Sequence, residues 1–113
     1  MNPSVPLLDR EEALSRVGGD AELLKEIAML FLDNYEQWLA ELNQAAARGD
    51  AQAVEHAAHG LKGSVANFGA QHVVEAALRI EQLGRRRDLT EVSKALNTLE
   101  LALAALRPEL EAL

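Results

Sequence analysis

Between Leu24 and Ala45 the apolar residues recur at steps of three and four: Leu24, Ile27, Phe31, Tyr35, Trp38, Leu42, Ala45. That period draws one stripe along one side of an α-helix, whereas a half-buried strand alternates every second residue. Three further stretches repeat the pattern. They run Val54, Ala58, Leu61, Val65, Phe68; then Val73, Ala76, Ala77, Ile80, Leu83; then Val92, Leu96, Leu99, Leu103, Leu106, Leu110. Leucine and alanine carry the apolar content and aromatics are only 4% of the chain, which suits packed helices. The single β-branched patch, His72-Val73-Val74, is short. Four striped helices with short connections bury their stripes by packing against one another. The predicted fold is all-α: an antiparallel up-down-up-down four-helix bundle with an additional short N-terminal helix. The heptad-like spacing of the last stripe could serve a coiled-coil dimer, but with partner helices in the same chain the simpler expectation is a monomer.

Cap residues place the ends. Asp9, Asp20 and Asp50 are aspartates at expected N-caps, and Gly18-Gly19, Gly49 and Gly69 follow expected C-termini. Gly84 reads as the end of the fourth long pattern's predecessor, and Asp88-Leu89-Thr90-Glu91 resembles a capping box before the last helix. The expected helices are about 9–17, 20–48, 50–68, 70–84 and 88–107 in one domain spanning 1–113. Residues 1–8, with Pro3 and Pro6, are expected to be loose, and Pro108 is expected to kink or interrupt the last helix.

Several function classes drop out. The chain has no cysteine, hence no disulfide framework and no thiolate zinc site. Its start shows no secretory signal pattern, and no stretch approaches the roughly 18 apolar residues of a membrane span. The expectation is a cytoplasmic protein without membrane contact. A net charge of -7 argues against nucleic acid as a partner. The excess negative charge lies entirely before His59, with eleven acids against four bases up to Ala58 and seven of each beyond it. An acidic partner therefore meets less repulsion at the second half.

One helix stretch contradicts its own propensity. Ala57–Ala70 carries Gly60 and Gly63 beside His59 and Lys62, and each mid-helix glycine costs roughly 0.8–1 kcal/mol relative to alanine. With the stripe turned inward, His59 lies about 100° from Ala58 and about 160° from Leu61, so it points outward. His56, Lys62, Gly63 and Ala66 share its face. Gly63 then leaves room one turn after the imidazole, and Gly60 is expected to clear space beside it. Lys62 is expected to be a mobile cation near whatever the ring acquires. A free imidazole, with a pKa of about 6.5, is largely neutral at pH 7 and offers one lone pair. A neutral nucleophile with a cation and open space suits phosphoryl transfer, which asks mainly for positioning and charge stabilisation.

The segment Ala58–Ala70, with His59, Leu61, Lys62, Gly63, Ser64, Phe68 and Gly69 in place, resembles the signature of histidine-containing phosphotransfer (HPt) domains. The resemblance extends to Leu14–Leu32 and Ala77–Arg85 and covers about residues 7–107. It implies a phosphorelay carrier. His59 would attack a receiver-domain phosphoaspartate, become phosphohistidine, and yield the group to another receiver aspartate. The partners would be receiver domains of response regulators or hybrid histidine kinases. Magnesium would be held by the receiver, with no cofactor bound by this chain. By resemblance Lys62 balances phosphoryl charge and Gly63 permits docking. Some family members place a glutamine near the imidazole from the following helix; the matching position here is Glu81, with Gln82 beside it, a departure from the pattern.

Motif spacing selects His59 over His56, which lacks a lysine three residues on and reads as a solvated neighbour. His72 reads as polar surface. Ser64 is expected to hydrogen-bond back to the Gly60 carbonyl. Arg85-Arg86-Arg87 fits either a docking patch or a solvated helix end, and Trp38 and Phe31 read as core. Two other functions compete: a metal-binding bundle using His56, His59 and Glu55, which Lys62 opposes, and a non-catalytic helical adaptor. No GxxxxGK[ST] or GxGxxG loop is present, so the chain is not expected to be an ATP-using kinase. With no catalytic portion in sight, a free-standing carrier is expected.

Overall fold

A computed structural model describes residues 6–113. Among them are five helices and no strand: α1 (Arg10–Arg16), α2 (Ala21–Ala47), α3 (Ala51–Ala66), α4 (Gln71–Arg85) and α5 (Val92–Glu111). Each long helix packs on two neighbours in a ring, α2 on α3, α3 on α4, α4 on α5 and α5 on α2, while α1 touches α2. The stripes supply the interior. Leu42, Val54, Leu61, Val65, Phe68, Ile80, Leu99 and Leu106 are fully buried, and each such leucine or isoleucine contributes on the order of 1.5–3 kcal/mol. Ile27 and Trp38 are only half-buried at the edge of the α2 stripe. No helix among the described residues is long and apolar enough to cross a membrane.

Local chemistry sets most helix ends. The side chains of Asp9, Asp20 and Asp50 accept from the amides of Glu12, Leu23 and Ala53, which satisfies otherwise unpaired donors in each first turn. At the end of α2, Gly49 adopts φ 71. Its amide bonds Ala46 O and that of Asp50 bonds Ala45 O, so the last carbonyls find partners.

The last helix departs from expectation at two places. Gly84 stands one residue before the end of α4. It is buried against α3, where an added Cβ would lie 2.7 Å from Glu55 N and 2.9 Å from Ala51 O. The left-handed position falls instead to Arg87, φ 58, a conformation costing roughly 1–2 kcal/mol for a residue with a Cβ. Arg87 N then bonds Gly84 O and Asp88 N bonds Leu83 O. Asp88 does not cap α5. Its carboxylate accepts from Thr90 N at 3.2 Å and Thr90 Oγ1 at 2.6 Å, a local turn that delays the helix to Val92.

Pro108 does not interrupt α5, which runs on to Glu111. The proline removes one donor, to the carbonyl of Ala104, and Ala104 is exposed where water can serve it. Buried Leu106 and Leu110 hold the turn on either side. The loose start expected for residues 1–8 falls on 1–5 outside the described residues. Leu7 and Leu8 are fixed, their amides donating to the Glu109 carboxylate at 3.1 and 2.8 Å.

The α3–α4 contact depends on the missing side chain of Gly84. Replacing it by alanine gains helix propensity of about 1 kcal/mol but drives a methyl group into backbone atoms of α3. Gly84→Ala is expected to lower stability by about 1–3 kcal/mol, read as a lower urea midpoint. An unchanged midpoint would show that the two helices do not approach this closely.

Candidate functional site

His59 stands on the outer side of α3, its side chain 68% exposed, because Ala58 and Leu61 on either side turn into the core. Beneath it α4 supplies a carboxylate. Glu81 is buried, the one charged residue in the core among the described residues. It follows Ala77 by one turn and precedes Gly84 by one, so it sits on the side of α4 that lies close to α3. The helix approach that Gly84 permits carries the carboxylate to the imidazole.

The contacts around Glu81 form a small network. Its Oε2 is 3.0 Å from His59 Nδ1 and accepts from the Arg85 guanidinium at 2.9 Å. Lys62 Nζ pairs with Oε1 at 2.8 Å. Arg85 also donates to Glu55 at 3.0 Å, joining α3 and α4 a second time. Burial raises the Glu81 carboxyl pKa, but contacts with Lys62 and then His59 outweigh it and hold the value below the usual 4.5. The carboxyl is therefore ionised and accepts only. Nδ1 is then the ring nitrogen that donates to it, and in a neutral imidazole the lone pair falls on Nε2.

The structure separates the two glycines of α3. A Cβ on Gly63 would meet nothing within 4 Å, so the surface one turn after His59 is open. Gly60 does not clear space for a visitor. A Cβ there would overlap the six-membered ring of Trp38, so this glycine receives the indole of α2. Trp38 consequently lies half-buried against α3 rather than in the core.

Other expected residues fall as follows. Lys62 is a quarter exposed and paired with Glu81. His56 is exposed and lines, with His59, Trp38 and Glu41, an open groove of about 720 Å³ between α2 and α3. Ala66 is half-buried at the end of α3, and Gln82 is exposed while Glu81 turns inward. Ser64 makes no bond to the Gly60 carbonyl; it lines a shallow hollow with Asn34 and Asn67. Of the three arginines, Arg85 belongs to the network, whereas Arg86 and Arg87 are exposed at the turn. His72 is exposed away from this site. Among the described residues no group of three or more His, Asp or Glu side chains is placed to hold a metal ion. Glu55 and Glu81 are engaged by cations, and the metal-binding alternative has no support.

The resemblance placed Glu81 near the imidazole; the part missed from sequence is its network with Lys62 and Arg85. Its signal was present: Glu81 and Arg85 stand four apart, and Glu81 falls between Ala77 and Gly84 on a small-residue line of α4.

Because the Glu81 value is lowered on folding, its ionisation stabilises the folded state. That stability is complete above 4.5 and is lost as pH falls through the lower folded value. Glu81→Gln should therefore be less stable than wild type at neutral pH, with the gap narrowing on acidification. Urea unfolding across pH checks this, and a gap independent of pH would contradict it.

The Hpt domain family profile matches residues 26–109. The crystal structure of histidine-containing phosphotransfer protein B (HptB) from Pseudomonas aeruginosa PAO1 superposes with a TM-score of 0.88 at 28% identity, covering 96% of this chain and 95% of that one. No curated protein sequence matches the chain at a significant level. The chain belongs to the Hpt domain family and is a histidine phosphotransfer carrier of phosphorelays.

Proposed function

We propose that Nε2 of His59 is the atom that carries the phosphoryl group. The single observation behind this reading is the pairing of an exposed ring with a buried, ionised acceptor on its other nitrogen. Nδ1–H faces Glu81, so the lone pair of Nε2 points outward. The attacking nitrogen is preset before any partner arrives, which removes a tautomer change from the reaction path. Gly63 gives a second protein room to bring its phosphoaspartate to that lone pair.

On this reading the donors and acceptors are receiver domains of response regulators or hybrid histidine kinases. Magnesium stays with the receiver, and this chain binds no cofactor. Lys62 begins paired to Glu81 and is the nearest cation on α3 to swing toward phosphoryl oxygens. The chain acts without an ATP-binding catalytic portion, as a cytoplasmic monomer of one domain. The scaffold is read as an antiparallel up-down-up-down bundle with α1 across one end. The ring of helix contacts and the short connections support that reading.

Incubation with a phosphorylated receiver should label the protein at an acid-labile, base-stable site, and His59→Gln should abolish the label. Label persisting in that variant would move the site elsewhere. Gly63→Gln should slow transfer at least about tenfold, a barrier change near 1.4 kcal/mol, while the melting temperature changes little. Full activity in Gly63→Gln would remove the role given to open backbone.

A further inference from the structure

The three arginines at the end of α4 are not equivalent. Arg85 is paired with Glu55 and Glu81. Arg86 and Arg87 are exposed and enter no ion pair among the described residues. The carboxylates near them are engaged elsewhere. Asp88 is held by the hydroxyl and amide of Thr90, and Arg86 adds only a weaker attraction from beyond ion-pair distance. Asp50 meets Arg48 at 3.5 Å, and Glu91 faces the α4–α5 groove with Arg79 and Lys94. Two cations thus stand without a partner on a chain of net charge -7.

Arg87 also sits where a side chain is unfavourable. Its φ is 58°, and the other left-handed positions among the described residues are all glycine: Gly18, Gly19, Gly49 and Gly69. Glycine takes this conformation freely, whereas a Cβ opposes it. The helix end does not call for an arginine here. The bond from Arg87 N to Gly84 O uses backbone alone, and Arg85 already places a cation in the last turn of α4. Nothing inside the fold uses the side chain, so its use lies outside.

The pair stands at the rim of the His59 site. Arg85 and the His59 ring share Glu81 Oε2, at 2.9 and 3.0 Å, and line one hollow together with Gln52 and Glu55. Arg86 and Arg87 follow within about 7 Å of chain. Resting on the reading of His59 as phosphoryl acceptor, we propose that Arg86 and Arg87 determine partner choice, steering in receiver domains that carry acidic side chains beside their phosphoaspartate. A receiver that holds magnesium does so through carboxylates, so its approaching face is acidic and most of this chain repels it. Those carboxylates are common to all such receivers, whereas the flanking acids decide which of them the arginines favour. Charges at the rim of an interface act chiefly on the association rate and on the exclusion of wrong partners.

Trp38 is the chain's one tryptophan and lines the groove at His59, so its fluorescence reports docking. Stopped-flow mixing in a His59→Gln background, where no phosphoryl group moves, uses magnesium-loaded, tryptophan-free receiver domains that differ in the acids flanking their aspartate. At about 20 mM ionic strength, Arg86→Gln with Arg87→Gly should slow association of acid-flanked receivers at least about tenfold. Dissociation should change little, and the difference should shrink at about 0.5 M salt. Receivers with neutral flanks should associate equally with both proteins. Arg86→Lys with Arg87→Lys should keep the parental rate. Arg87→Gly alone should slow association while raising the melting temperature by about 3 °C, a split that a merely structural arginine would not give. Equal association of the parent and the Gln/Gly variant at low salt, an equal loss for neutral-flanked receivers, or failure of every receiver to bind would overturn the proposal. Arginine-dependent docking with no label on the wild-type protein would count against the phosphoryl reading and leave the docking assignment standing.

Discussion

A carboxylate buried between two helices governs this molecule's surface chemistry. An ionised group removed from water is costly unless paired. Glu81 meets that cost with an ammonium, a guanidinium and an imidazole drawn from α3 and α4. The pairing works only because the helices are close, and they are close because Gly84 has no side chain between α4 and the backbone of α3. A backbone contact thus sets an imidazole's orientation, through a carboxylate, on the opposite side of α3 from the core.

The glycines show how one residue type serves unrelated ends on adjacent turns. Gly60 receives the Trp38 ring and fixes α2 against α3, while Gly63 meets nothing and leaves backbone open to a visitor. Gly84 draws α4 inward, and Arg87 takes the strained left-handed conformation past the helix end. Rigidity below and clearance above are complementary requirements. A phosphoryl acceptor must hold its ring still while a folded partner approaches, and a helix packed on two neighbours does the first.

Much of the scaffold was legible because it rests on periodicity and local chemistry. The four apolar stripes, the aspartate caps and the outward direction of His59 follow from residues within a few positions of each other. What escaped depends on distant partners. Nothing near Gly60 announces Trp38, twenty-two positions earlier. The seeming capping box at Asp88 was overridden when Thr90 supplied both of its donors locally. Pro108 does not break α5 because the carbonyl it leaves without a donor belongs to exposed Ala104 and its neighbours Leu106 and Leu110 are buried. Glu81 is the sharpest case. The family resemblance put Glu81 near the imidazole, but its burial and its pairing with both His59 and Lys62 follow only from the α3–α4 approach.

That same partnership bears on how tightly a phosphoryl group would be held. A site built for storage would point free cations at the phosphate oxygens. Here the nearest cation on α3 begins in contact with Glu81, and Arg85 is divided between two carboxylates. A doubly charged phosphoryl group must compete for them, so part of the attraction it gains is offset by bonds given up. On the proposed reading, the weak hold is useful: a carrier passes on what it receives, and transfer in both directions is easiest when neither end of the journey binds the group strongly. On that same reading the buried carboxylate would do two jobs from one position, setting the nitrogen that reacts and moderating the charge that would otherwise trap its product.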